Sequence, residues 1–292
     1  MSLLFRDNKI YLNKVELRVR GQYFETSKSV TEIIGEINNI KFCNLKCNKI
    51  LDVSKFSVGE ELERLTLYKN KIQDVSTFNV RNLINLDLSK NKIKNIIELD
   101  VKNIKRLNVN GNLLSQINEF DCKNLVDLKL DDNRITGLSG FNSKMLKYLS
   151  LSGNRITDIS EFNICDNLYH LNLSYNEISD ISNFNTRNLS HLDLNCNKIK
   201  NINGFNTRLL KILELQENYI SDISEFDTGK LKTLNLRHND ITDIRYFTIN
   251  DSLITLDLSK NFMLNIKNLE DAKIHQEEHR KYVDNKVKSA RK

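Results

Sequence analysis

The sequence predicts a solenoid of stacked coils in which every coil supplies one short β-strand. Three observations carry that prediction. An asparagine recurs in register at Asn48, Asn70, Asn91, Asn112, Asn133, Asn154, Asn176, Asn197, Asn218, Asn239 and Asn261, with successive gaps of 22, 21, 21, 21, 21, 22, 21, 21, 21 and 22 residues. Leucines alternate just ahead of each asparagine, as in Leu192-x-Leu194 before Asn197. The 292 residues contain no proline, a residue that would delete backbone bonds between coils.

Each element follows from the spacing. One unit reads Leu189, Leu192, Leu194, Asn197, Ile199, Ile202, Phe205, and the next reads Leu210, Leu213, Leu215, Asn218, Ile220, Ile223, Phe226. The Leu-x-Leu pair has period two, so it forms a short strand with one face toward a core. After the asparagine the apolar residues come at spacings of two, three and three. That suits a tight turn followed by extended or 3₁₀-like chain. The final slot is Phe56, Phe78, Phe120, Phe141, Phe162, Phe184, Phe205, Phe226 or Phe247, with Leu99 and Leu269 in the other two units. A coil alone cannot bury these side chains; stacked coils can. The asparagine sits where the chain leaves the strand, and its amide can bond backbone groups that no strand ladder reaches. Eleven repeats are expected over residues 40–270.

The ends break the register. Residues 1–39 are expected to be a cap or a degenerate repeat, with strand pieces at Ile10–Leu12 and at Val15, Leu17 and Val19, and a short helix over Ser27–Ile37. Residues 271–292 read as a charged helix or tail, with Glu277 and Lys281, and Asp284 and Lys288, spaced for i,i+4 pairs. No second domain or flexible linker is expected.

Composition narrows the class. At 39% hydrophobic and 28% charged, the chain can bury a core, and it is neither collagen-like nor a disulfide scaffold. The net charge of +6 comes from 44 basic and 38 acidic residues, without a concentrated basic stripe, so no nucleic-acid partner is expected. Cys43, Cys47, Cys122, Cys165 and Cys196 are odd in number and scattered, which favours free thiols in a reducing compartment and a cytoplasmic location. Arg6 and Asp7 interrupt the first apolar residues, which argues against a signal peptide. No apolar run approaches the ~18 residues that a membrane helix needs, so no membrane partner is expected.

The repeat resembles the leucine-rich repeat family. Its period is similar to the short class found in a regulatory subunit of protein phosphatase 1 and in bacterial internalins. The stretches Asn154 to Ser160 (NRITDIS) and Asn176 to Ser182 (NEISDIS) are especially internalin-like. The resemblance covers most of the chain. It implies an α/β fold: a right-handed, horseshoe-like solenoid with a parallel β-sheet on the concave face and mostly extended or 3₁₀ chain on the convex side. The family binds diverse partners on this scaffold, so the resemblance specifies fold far more than function. Two departures are expected to matter: the lack of a secretion signal or wall anchor, and the lack of tryptophan.

The outward positions of each strand lie six, four and two residues before the asparagine. Most of these are small and polar, with one exception. Tyr148, His170, His191 and Ile212 follow one another in the first column, with Asp193 and Glu214 beside them. Aromatic and aliphatic anchors with a charged rim suit an interface centre, so these six are the expected partner-binding residues. Asp127 and Asp131 form a second acidic group that would suit a basic partner. His275, Glu278 and His279 match an inverted zinc-protease pattern, but only thirteen residues follow to supply a third ligand. No catalytic residue, metal or cofactor is expected. The expected function is a non-catalytic, monomeric scaffold that binds another protein through the concave face. The alternatives are metal-dependent activity on a repeat scaffold, or a host-directed effector of a virus or intracellular pathogen, which the Asn-, Lys- and Ile-rich composition of an A+T-rich genome would fit.

Two compositional features are only partly absorbed. The ladder accounts for eleven of 41 asparagines and leaves the others without a role. Proline is excluded from the strands by the ladder, whereas its absence from the convex segments reads as codon bias.

Overall fold

The structure, a computed structural model, describes residues 2–6, 9–12, 15–17, 22–26, 29–118, 120–138, 141, 143–160, 162, 167–185, 188–262 and 266–290. The chain divides into two compact units. Unit 1 comprises Met1–Arg155 with Cys165–Leu168, and unit 2 comprises Ile156–Ile164 with Tyr169–Lys292. Cys165 lies outside the described residues, as do Val19 and the side chains of the Asp284–Lys288 pair.

Unit 1 begins with β1 (Ser2–Arg6), β2 (Lys9–Leu12), β3 (Val15–Leu17), β4 (Tyr23–Glu25), β5 (Glu32–Ile37), β6 (Phe42–Asn44) and β7 (Phe56–Val58). It continues with β8 (Arg64–Thr66), β9 (Asn85–Asp87), β10 (Arg106–Asn108), β11 (Asp127–Lys129) and β12 (Tyr148–Ser150). Strands β4, β6 and β8 to β12 pair in parallel, in chain order, one per coil. Unit 2 contributes β13 (His170–Asn172), β14 (His191–Asp193), β15 (Ile212–Glu214), β16 (Thr233–Asn235) and β17 (Thr255–Asp257), also parallel and in order. This is the stacked-coil α/β solenoid that the repeat predicts.

The core repeats with the sequence. The middle leucine of each strand and the leucine two residues later are buried, as are the isoleucines and the phenylalanine that follow. Successive phenylalanines stack, with ring centroids 6.0 Å apart for Phe56 and Phe78, and 6.3 Å apart for Phe162 and Phe184. Burying each such side chain is worth roughly 1.5–3 kcal/mol before ordering entropy is set against it.

The asparagine amides close the hydrogen-bond accounting between coils. Asn91 donates to its own coil at Leu88 O (2.9 Å) and to the preceding coil at Leu67 O (3.0 Å), while its Oδ1 accepts from Ile72 N of that preceding coil (3.0 Å). Asn218 repeats the pattern in unit 2 with Leu215 O, Leu194 O and Ile199 N. All eleven donate to the carbonyl three residues back and accept from an N–H of the preceding coil; Asn261, in the last coil, is only half-buried.

The residue immediately before each ladder asparagine is left-handed, with φ between 53° and 66°. Only Gly111 and Gly153 suit this conformation; the other nine coils hold it with Cys47, Lys69, Lys90, Asp132, Tyr175, Cys196, Glu217, His238 and Lys260. Nothing in the spacing of apolar residues announces it, because glycine marks the position only twice.

The far side of the coil is also bonded at backbone N–H groups. In the Asn70 coil, Ser76 N donates to Asp74 Oδ1, Phe78 N to Val75 O, Arg81 N to Asn79 Oδ1 and Leu83 N to Val80 O. Proline at any of these positions would delete a bond, so its absence from the convex segments has a structural cause as well. The same turns employ many of the remaining asparagines. Asn201 and Asn206 accept from the N–H two residues on, as Asn172 and Asn235 do at the end of their strands. Asn124 donates to Lys102 O of the preceding coil. The asparagine excess beyond the ladder is therefore largely turn chemistry.

Three coils hold one extra residue, and in each it falls between the phenylalanine and the next leucine. Phe56 to Leu62, Phe162 to Leu168 and Phe247 to Leu253 span six positions, where Phe78 to Leu83 spans five. The strand columns keep their register through two of these, Phe42 with Arg64 and Thr233 with Thr255.

The N-terminal end differs from expectation in one place, the segment Ser27–Ile37. The stack begins before Ile40: β4 pairs with β6, and Thr26, standing where later coils have the buried leucine after the strand, accepts at its carbonyl from Asn48 (2.8 Å) as Leu45 does from Asn70. The helix expected over Ser27–Ile37 is absent, and Glu32–Ile37 is strand β5, parallel to both β1 and β7. Val30, Ile33, Ile34 and Ile37 do have helical spacing. However, three of them are isoleucines, which favour strands, and Gly35 at φ 93° interrupts any helix. At the other end α1 spans Leu269–Ala290. Asn268 caps it by accepting from Glu270 N and Asp271 N, and Gln276 Nε2 donates to Ile244 O and Phe247 O of the last coil.

Two stability measurements check this account. Asn154→Ala removes an acceptor from Ile135 N and donors from Leu130 O and Leu151 O, all buried. It should destabilise by ~1–3 kcal/mol in urea melts, and an unchanged midpoint would contradict the ladder. At the exposed left-handed Lys69, Lys69→Gly should leave stability unchanged or raise it by up to about 1 kcal/mol. Lys69→Val should lower it by about 1–3 kcal/mol, a gap that disappears if the left-handed turn is misplaced.

Candidate functional site

A strand of three residues has a buried middle leucine and two outward residues, so each coil presents a fixed pair of side chains to solvent. Parallel register stacks these pairs at ~4.8 Å intervals. In unit 2, His170 aligns with His191 and His191 with Ile212, while Asn172 aligns with Asp193 and Asp193 with Glu214. Five of the six expected binding residues therefore share β13, β14 and β15. The sixth, Tyr148, lies on β12 of unit 1, where it aligns with Asp127 and is 47% exposed.

The rings in unit 2 form one cluster. The His170 and His191 centroids are 5.7 Å apart and stacked at 29°, and Tyr169 approaches His191 at 5.1 Å, tilted by 47°. His191 Nδ1 is buried and, among the described residues, has no hydrogen-bond partner. Burial first, then the charges of His170 and Lys211, holds the His191 imidazole below the usual histidine range. Tyr169 is missing from the sequence-derived set because it precedes the strand. Its signal is a departure from the lysine that recurs at the same position, as at Lys105, Lys147, Lys211 and Lys232, although the next coil has Ser190 there.

Two carboxylates lie alongside the rings. Asp193 Oδ accepts from Asn195 N at 2.9 Å, and Glu214 Oε2 accepts from Asn235 Nδ2 at 2.8 Å. Burial pushes both carboxyls above their ordinary range against the opposing effect of those bonds. The fold needs an acceptor at the Asp193 position but not a charge: Asn172 and Asn235 make the same bond to the N–H two residues on, at 2.9 and 3.0 Å.

The second acidic group does not act as a pair. Asp131 accepts from Asn110 Nδ2, Ser150 Oγ and Ser152 N, and so braces its own and neighbouring coils. Asp127 instead borders a depression of about 300 Å³ on the strand face of unit 1, whose side-chain rim is Arg64, Asn85, Asp87, Arg106 and Lys129. On α1, His279 packs edge-on against Tyr246, with centroids 6.0 Å apart. Among the described residues, no three His, Cys, Asp or Glu side chains converge as a metal site.

Comparison with known proteins follows the coils. A family model for Leucine Rich repeats (2 copies) matches residues 144–186, and one for a Leucine Rich repeat matches residues 230–244. No curated protein matches the chain. Among solved structures, an internalin (inlF) from Listeria monocytogenes shares 25% identity at a TM-score of 0.64, over 78% of this chain and 76% of that one. A chain of the LRIM1/APL1C complex shares 20% identity at a TM-score of 0.63, over 83% of this chain and 52% of that one. A chain of the TLR13–ssRNA13 complex shares 20% identity at a TM-score of 0.53, over 80% and 44% respectively. The last two show a common fold. The internalin half of the sequence resemblance is the half these matches carry. Two leucine-rich-repeat models thus match its coils, and its fold is similar to that of an internalin, so these coils are leucine-rich repeats.

Proposed function

We propose that this protein is a non-catalytic scaffold that binds another protein through the strand face of its coils. The centre of that contact is His170, His191, Asp193, Ile212 and Glu214 in unit 2, and Tyr148 is a separate exposed aromatic on unit 1. The observation that carries this reading is the pair Asp193 and Glu214. Both are half-buried carboxyls whose ionisation burial opposes, at positions where the same fold is satisfied by asparagine. A charge kept at the expense of stability is the pattern of a binding site. The stacked rings and Ile212 supply apolar area beside it, and a rigid sheet lowers the ordering cost of association. The reading is of a monomer in the cytoplasm, with a protein partner and no cofactor, nucleic acid or membrane. The LRIM1/APL1C structure, a complex of two named chains, supports a protein partner.

Asp193→Asn separates stability from function. The folded-state pKa of Asp193 is raised above its unfolded value, so its ionisation opposes folding at neutral pH. That penalty fades as pH falls through the raised pKa and is gone below the unfolded value. Asp193→Asn should therefore raise Tm at pH 7, and its advantage should shrink as pH falls through the carboxylate range. A lower Tm at pH 7 would mean that the charge serves the fold.

Partner capture tests the reading itself. The variants His170→Ala and His191→Ala, with folding verified by circular dichroism, should lose the protein recovered by the wild type from the native cell. Undiminished recovery by both would remove this patch from the function.

A further inference from the structure

The depression on the strand face of unit 1 has no counterpart in the patch just described. Its basic groups are positioned. The Arg64 guanidinium lies over the Phe42 ring, 5.3 Å from the centroid, and Arg106 Nη1 donates to Asn85 Oδ1 at 3.4 Å. Register places Asn85 between them, so Arg64 and Arg106 stand two strands apart, roughly 9.6 Å at ~4.8 Å per strand. Both are exposed, and among the described residues neither meets a carboxylate at ion-pair distance. Lysines of the same unit do find partners: Lys41 pairs with Glu63 at 3.3 Å and Lys46 with Glu25 at 3.2 Å. The two guanidinia thus face the depression outside any ion pair among the described residues, as does Lys129 on the same rim.

We propose that this depression receives an acidic segment of a partner protein, running across the strands, with carboxylates on every third residue. A segment in polyproline II conformation advances ~3.1 Å per residue with three residues per turn, so residues three apart share a face and are separated by ~9.3 Å, which matches the two-strand spacing of Arg64 and Arg106. Each guanidinium can grip a carboxylate through two parallel N–H bonds. Arg64 is held by its aromatic neighbour and Arg106 by an amide, which limits the rotamer freedom lost on binding. The exposed part of Phe42, one strand beyond Arg64, offers apolar contact to a side chain flanking the carboxylate held there. The rim also has Asp87 and Asp127. A polyanion such as RNA would be repelled by those two, whereas a protein segment has backbone N–H groups to offer them. The mixed rim therefore favours protein over nucleic acid. The proposal rests on the strand face being the binding surface, but it uses different residues from the unit 2 patch.

The test is fluorescence anisotropy with the full chain and a short fluorescein-labelled peptide carrying glutamate at every third position. Saturable binding is expected that weakens with added salt. Arg64→Gln and Arg106→Gln, both exposed and close in volume, should each weaken it about fivefold. His170→Ala should leave it unchanged, so the result is independent of the patch in unit 2. The proposal is overturned if the peptide does not bind saturably, if a lysine version of it binds equally well, or if both glutamine variants retain wild-type affinity. It is also overturned if single-stranded RNA binds more tightly and loses affinity in those same variants, since the site would then be for nucleic acid.

Discussion

A buried backbone N–H or carbonyl must be paired, and a coil that turns out of its strand leaves several unpaired where no neighbouring strand can reach. The ladder asparagine meets that constraint with the smallest side chain that carries one acceptor and two donors. Asn91 satisfies Leu88 O, Leu67 O and Ile72 N at once, and each coil repeats the arrangement. The bonds run within the coil and backward to the preceding one. Everything else depends on this. The leucines can be buried only because the turn beside them is satisfied, and the outward side chains have fixed positions only because successive coils lock in register.

That economy is purchased with local strain and with extensive turn chemistry. Every ladder asparagine follows a left-handed residue, in nine coils without glycine. Asp74 and Asp180 are held below the usual carboxylate range by the backbone N–H of the serine two residues on, and these small bonded turns recur along the far side. A solenoid coil is thus a chain of hydrogen-bonded reversals with a short strand in it. The strand is the part that can face a partner, because its outward side chains are the ones least committed to the fold.

The legibility of this structure in its sequence follows the same division. Strand positions and core residues could be read because leucine, isoleucine and phenylalanine recur at spacings that only one geometry satisfies. The left-handed positions could not, since Lys69, Cys196 and Glu217 look like ordinary surface residues. The asparagines outside the ladder read as composition because each serves a turn rather than a contact visible as periodicity. Ile33, Ile34 and Ile37 misled because helical spacing and β-branching point to different elements, and pairing with β1 and β7 decided between them. In the candidate site, register brought together His170, His191, Asp193, Ile212 and Glu214 as the columns implied. Tyr169 and the guanidinia of Arg64 and Arg106 emerged only from side-chain geometry, which a column of letters does not contain.

The extra residue of the three longer coils has a consequence for how such a surface can change. It lies between the phenylalanine and the following leucine, and in the coils of Phe56 and Phe247 the strand columns on either side stay aligned. Length is thereby uncoupled from lettering. A lineage can absorb an insertion on the return path without shifting any outward side chain by one position, which would turn the whole column inside out. The strand face can then diversify one residue at a time, like a row of type in a frame whose margins are adjusted elsewhere.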